Sequence, residues 1–258
     1  MASEISIAIQ AARHAGEILR SQFSKPHQET YKGTIDIVTE MDQKAEHLIY
    51  TMLKGEFPDY GFLGEESRNS NSCHEAIWIV DPLDGTTNYA RGYPLFNVSI
   101  ALEKNGEVVA GVVYNPMLDE MFTAERGSGA WLNGSPIQVS QTTELGKSLL
   151  ASGFPYDAWS NPANNCLEWE RFITRVISLR CDGSAALDFC HVAAGRLDGY
   201  WETGLEAWDM AAGALIVQEA GGVVSLTSGE PFSPYQRSVL ATNGKLHQQM
   251  MQILNSEP

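Results

Sequence analysis

The chain has 258 residues, 43% hydrophobic and 19% charged, so it can bury a sizeable core and falls outside the disordered class. That length suits one large domain or two closely packed halves. Its 17 basic against 32 acidic residues give a net charge of -15, which argues against nucleic acid as the main partner, because phosphate backbones are bound by Lys/Arg surfaces.

Taken in chain order, Ile5, Ala8, Ile9, Ala12, Ala15, Ile18 and Leu19 recur at helical spacing and predict an amphipathic helix over 3–22. This stretch has an acidic residue at position 4 and no long apolar run. It reads as neither signal peptide nor membrane span, and the cytoplasm is the expected compartment. A second helix is predicted from near Asp42, with Leu48, Ile49, Met52 and Leu53 on one face. FPDYGFLGEES, residues 57–67, reads as an apolar-flanked loop. The run Ile77–Val80 predicts a buried strand that ends in Asp81. Residues 96–140 read as an antiparallel meander, with hairpin turns at Asn105-Gly106 and Asn133-Gly134.

The second half alternates. A strand is predicted at 148–154, helices at 163–178 and 184–195, and a strand at 198–203. A helix over 208–220 ends at Gly221-Gly222 as its C-cap. Strands at 223–226 and 238–241 and a helix from 244 complete the chain. The polar segment SQTTELGKS suggests that two halves, 1–145 and 146–258, meet there. Helices and sheets in alternating layers predict an α+β fold. Cys73, Cys166, Cys181 and Cys190 form no C-x-x-C pair and have no neighbouring His cluster, so they read as reduced thiols.

The chemistry concentrates in AIWIVDPLDGTTNY, residues 76–89. The strand delivers Asp81 at its mouth. The turn imposed by Pro82 can bring Asp84 alongside and present the Leu83 carbonyl between them. Two carboxylates and a carbonyl are hard oxygen ligands, suited to Mg²⁺ or Ca²⁺. Alone, such a turn is more often an ordinary loop. Glu65 and Glu66 alone read as solvated loop charges, and Asp209 alone as a residue capping the helix it opens.

The combination of GEES (64–67), WIVDPLDGTTNY (78–89) and WDMAAGALIVQEAGG (208–222) closely resembles the inositol monophosphatase family. So do KGTIDIVTEMD, YNPMLDEMFTAERGSGAWLNG and GSAALDFCHVAAGRLDGYWE. The resemblance implies Mg²⁺-dependent, lithium-sensitive hydrolysis of a sugar phosphate on a layered αβαβα sandwich, usually as a homodimer. It implies one metal site on Glu65, Asp81 and the Leu83 carbonyl, and a second on Asp81, Asp84 and Asp209. A third, weaker ion would share Glu65, giving two to three Mg²⁺ per site. Phosphate would lie against Leu83, Asp84, Gly85 and Thr86, with backbone amides at the helix start as donors. The sugar ring would meet Gly183, Ser184, Ala185, Glu202 and Asp209. Glu65 and Thr86 would orient the attacking water, with Asp36 behind the threonine and Lys32 on a loop closing over the site.

Glu202 favours a polyol as an acceptor for hydroxyls, and DGTTNY is of the inositol type, so inositol 1-phosphate is the expected substrate. Asp182, which adds negative charge beside the ring position, departs from the pattern. Fructose 1,6-bisphosphate, adenosine 3',5'-bisphosphate and histidinol phosphate stay open, as does a non-catalytic role in an RNA complex, which the acidic balance disfavours. Ser152 and Ser184 lack the neighbours of a serine hydrolase, and His14, His47 and His191 read as packing or surface residues. Trp208 is expected to pack beside the site and fix Asp209.

Overall fold

A computed structural model describes residues 3–27, 29–31, 37–67 and 75–256. Helix α1 (Glu4–Gln22) starts at Ser3, whose hydroxyl accepts the Ser6 N–H, and buries Ile7, Ala8, Ala11, Ala12, Ala15 and Leu19. A short antiparallel pair, β1 (Glu29–Tyr31) and β2 (Ile37–Thr39), leads into α2 (Glu40–Glu56). A capping box sets the start of α2: the Thr39 side chain accepts the Met41 N–H, and Asp42 accepts the Thr39 N–H.

The segment read as a loop around residue 62 contains a strand, β3 (Gly61–Gly64), which pairs in parallel with β4 (Ala76–Asp84). Four residues with no polar alternation carry no period, so only the pairing partner reveals the strand. After α3 (Thr86–Ala90) come β5 (Asn97–Lys104), β6 (Glu107–Asn115), β7 (Glu120–Glu125), β8 (Ala130–Leu132) and β9 (Ser135–Pro136). They extend one sheet in the order β3-β4-β5-β6-β7-β8-β9. Both predicted hairpin turns have positive φ at both central residues, 51° and 79° at Asn105-Gly106 and 50° and 76° at Asn133-Gly134, as a type I′ turn requires.

The rest of the chain builds β10 (Leu149–Ser152), α4 (Cys166–Ile173), β11 (Ser178–Arg180), α5 (Ala185–Ala193), β12 (Gly199–Thr203), α6 (Ala207–Glu219), β13 (Val223–Ser225), β14 (Ser238–Thr242) and α7 (His247–Leu254). Its strands form a mixed sheet, β11-β10-β12-β14-β13. The helix predicted over 163–178 is about half that length. The chain turns at Thr174, and residues 178–180 instead join the sheet edge beside β10.

The elements stack as the expected αβαβα sandwich. Helices α1 and α2 cover one face of the large sheet, and α6 covers the other. Helices α5 and α6 fill the space between the two sheets, while α4 and α7 pack together beyond the small one. Helix α6 is buried all round, so its apolar residues follow no single stripe. Its backbone comes so close to β6 that a Cβ on Gly111 would sit 2.9 Å from the Ala212 carbonyl. Among the described residues no helix is long and apolar enough to cross a membrane.

Candidate active site

Asp81 and Asp84 are three residues apart, and on a regular strand they would face opposite sides of the sheet. The β4–β5 register shows why they do not. Asp81 pairs with Ser99 but Asp84 pairs with Asn97, so β4 carries one extra residue at this point. That bulge reverses the alternation and brings both carboxylates to one side. Pro82, which has no N–H for the ladder, sits inside it. The Leu83 N–H turns back to Asp81 Oδ1 at 2.9 Å.

Asp84 is held by donors from both halves of the chain. Its Oδ2 accepts from Asn97 Nδ2 (2.7 Å), Ser184 Oγ (2.8 Å) and the Ala186 N–H (2.9 Å). Asp209 Oδ2 accepts the Glu206 N–H at 2.7 Å, so it does cap α6, as its position suggested. Glu65 follows β3 directly, and its N–H donates to the Val80 carbonyl at 3.1 Å. In each of Asp81, Asp84 and Asp209 one oxygen is oriented by protein donors.

These carboxylates share one electrostatic field. Burial pushes the Asp81 carboxyl well above the usual range, and the charges of Glu65, Asp84 and Asp209 push it further. Asp209 is raised well above its usual value too, by burial first, against the Glu206 amide and with Asp84, Glu65 and Glu202 adding to it. Among the described residues no three Asp, Glu, His or Cys side chains are already drawn to the spacing of a ligand cluster. Buried like charges repel one another, and a hard divalent cation is the counter-charge that an all-oxygen set of this kind fits.

Gly85 caps α3 with φ of 92°, and a Cβ there would meet the Leu95 carbonyl at 3.0 Å, so the turn requires glycine. Thr86 Oγ1 lies 2.9 Å from Asp42 Oδ1 and 3.0 Å from the Leu83 carbonyl. One hydroxyl hydrogen cannot serve both, and the carboxylate is the stronger acceptor. Asp42 is 1% exposed, and its other oxygen accepts the Thr39 N–H and hydroxyl. Burial raises its carboxyl to about 6 against those hydrogen bonds.

Sequence reasoning placed Asp36 behind the threonine. Asp36 and Lys32 lie outside the described residues; among the described residues the acid that meets Thr86 is Asp42. In the sequence Asp42 marks only the start of a helix, and nothing local points from it to a threonine 44 residues on.

Across the cleft, Asn88 Nδ2 donates to the backbone carbonyls of Leu95 and Asp182 at 2.7 and 2.8 Å, tying the α3 turn to the loop before α5. Gly183, with φ of 72°, rests against the Asn88 amide. Ser184, Ala185, Glu202 and Asp209 line the same cavity of about 260 Å³ as Asp84 and Gly85. Glu202 Oε2 accepts the Tyr200 hydroxyl at 2.6 Å, and burial raises its carboxyl to about 7. Beneath, Asp188 is 2% exposed and its Oδ1 has no hydrogen-bond partner. Burial and the charges of Asp182, Glu202 and Asp84 raise it well above the usual range. Asp188 lies within the GSAALDF motif, but the sequence alone gives it no role. Trp208 is 9% exposed and packs in the inter-sheet core. His14 and His47 are exposed on α1 and α2.

The family description "Inositol monophosphatase family" matches residues 1–258. The chain belongs to that family. It is 46% identical to inositol monophosphatase 2 of Solanum lycopersicum, covering 97% of each chain. It is 43% identical to the inositol-1-monophosphatase of Mesorhizobium japonicum, covering 97% of this chain and 95% of that one. The crystal structure of the extragenic suppressor protein suhB from Bartonella henselae superposes with a TM-score of 0.92 at 40% identity, over 98% of this chain and 99% of that one. The protein is therefore a phosphatase that hydrolyses a phosphate monoester, in a metal-dependent family.

Proposed function

We propose that the substrate is inositol 1-phosphate and that two to three Mg²⁺ ions serve each site. The observation that carries this reading is the pairing, in one cavity, of a buried carboxylate field at Asp84 and Asp209 with a hydroxyl-accepting Glu202. Glu65, Asp81, the Leu83 carbonyl, Asp84 and Asp209 would hold the ions. When bound, such ions activate water on one side of a phosphoryl group and stabilise the leaving oxygen on the other. Four carboxylates and a phosphate dianion total about six negative charges, which roughly three divalent ions neutralise. An acidic protein thereby accepts an acidic substrate.

The chain's own groups do the rest. Donation of the Thr86 hydroxyl hydrogen to Asp42 turns its oxygen lone pairs outward to receive a hydrogen from the attacking water, and Glu65 accepts the proton. The Gly85 and Thr86 amides at the start of α3 bind phosphate oxygens. Gly183, Ser184 and Ala185 border the ring, and Glu202 and Asp209 accept its hydroxyl hydrogens. The halves 1–145 and 146–258 close on this site from opposite sides. The reading includes lithium sensitivity, a homodimer and a cytoplasmic location.

Phosphate release is to be measured with inositol 1-phosphate, fructose 1,6-bisphosphate, adenosine 3',5'-bisphosphate and histidinol phosphate, each with Mg²⁺ and with excess chelator. Inositol 1-phosphate should give the highest kcat/KM, and chelator should abolish turnover. A higher kcat/KM on another of the four would move the substrate assignment, and undiminished turnover in chelator would remove the metal from it.

A further inference from the structure

Helix α2 carries a second buried acid one turn after Asp42. Glu46 is 6% exposed, and its Oε2 accepts the Glu66 N–H at 2.8 Å. Residues four apart lie on one helix face, so Asp42 and Glu46 look the same way. Asp42 meets Thr86, and Glu46 meets the backbone on the far side of Glu65. Glu65 is thus held on both flanks, by its own N–H on the Val80 carbonyl and by the next N–H on Glu46.

The glycine before Glu65 fits the same contact. A Cβ on Gly64 would overlap Glu46 Oε2, sit 2.7 Å from its Cδ, and meet Phe62 Cε1 at the same 2.7 Å. Position 64 has no positive φ, so backbone conformation does not require glycine there. The space taken by the Glu46 carboxylate and the Phe62 ring does.

We propose that Glu46 is a positioning residue for Glu65: it fixes the 64–67 backbone so that the Glu65 carboxylate is presented to the cation and to the attacking water. The inference rests on the assignment of Glu65 as a metal ligand. One helix, locked at its start by the Thr39–Asp42 cap, thereby sets both members of the water-activating pair.

The test uses E46D, G64A, their double variant and E46Q in the full chain, with Mg²⁺ binding by calorimetry beside steady-state kinetics. E46D keeps the charge but shortens the reach by one methylene. G64A displaces the carboxylate from the other side. Each should weaken Mg²⁺ binding roughly tenfold, the scale of an outer-shell partner, and lower kcat while KM at saturating Mg²⁺ holds within about twofold. Both act on the Glu46 contact, so the double variant should lose less than the two singles combined. E46Q keeps an oxygen at full reach and should bind Mg²⁺ within about threefold of the wild type. Wild-type Mg²⁺ binding in E46D or G64A overturns the proposal, as does a loss in E46Q equal to that in E46D. If one of the two displacing variants does not fold, the other decides. E65Q, titrated alongside, separates the two readings: Mg²⁺ affinity unchanged in E65Q removes the metal-ligand assignment itself.

Discussion

The two ends of the cleft are built to different tolerances. At the phosphate end every candidate ligand that comes from β4 or α6 is anchored. Asp84 Oδ2 takes three donors, Asp81 takes the Leu83 amide, and Asp209 takes the Glu206 amide. At the proposed ring end, Glu202 accepts from a single phenol among the described residues. Charge that must be stabilised in the transition state gains from groups that need no reorganisation. A ring with several hydroxyls needs acceptors, and small changes there alter which polyol fits. The chemistry is over-determined, and the specificity rests on few contacts.

The largest expected effect tests the anchored end. Asp209→Asn keeps the size of the side chain but removes a charged ligand, and kcat should fall at least a hundredfold or so for every phosphate ester tried. A loss confined to inositol phosphate would instead assign Asp209 to the ring alone. Next comes Thr86→Val, which leaves Asp42 buried without its third donor. Here kcat should fall by about 10²–10³ with little change in KM. Thermal denaturation should show a cost of about 1–3 kcal/mol for the unsatisfied acceptor. Activity retained within a few-fold would take the hydroxyl out of the mechanism.

At the ring end the effects are smaller and depend on substrate. Glu202→Gln loses an anionic acceptor worth about 1.5–3 kcal/mol, or roughly ten- to a hundredfold in kcat/KM, but only on substrates with a hydroxyl at that position. Because burial raises the Glu202 carboxyl to about 7, it is anionic above that pH and neutral below. The advantage of wild type over Glu202→Gln on inositol 1-phosphate should therefore shrink as pH falls through about 7. A ratio constant between pH 6 and 8 would rule out the ionised group as the acceptor. The smallest effect is expected from Gly153→Ala, whose new methyl would overlap the Glu202 carboxylate. It should cost a severalfold loss in kcat/KM on inositol 1-phosphate and leave kcat on a ring-free ester unchanged. Lithium sharpens the same contrast. Inhibition at millimolar levels should be uncompetitive and should disappear in Asp209→Asn while persisting in Glu202→Gln.

Local pattern was enough for much of this molecule. The amphipathic helices α1 and α2 and the Asn-Gly hairpins were legible from residues close in sequence, and α6 from an apolar run of helical length that leads to Gly-Gly. The motifs around Glu65, Asp81, Asp84 and Asp209 were legible because together, and in that order, they resemble those of the family, although each alone reads as a loop charge or a cap. Other features were decided by contacts between distant segments. Strand β3 exists because β4 pairs with it, and the predicted helix over 163–178 stops early because β10 captures residues 178–180 as a strand. The bulge that sets Asp81 and Asp84 on one side is visible only in the register with β5. Asp42 caps α2 through its near neighbour Thr39, and its other oxygen is taken by Thr86, 44 residues away. A carboxylate has four acceptor sites, and sequence accounts only for those filled by near neighbours. Tertiary structure assigns the remainder, and here that is where the candidate catalytic geometry lies.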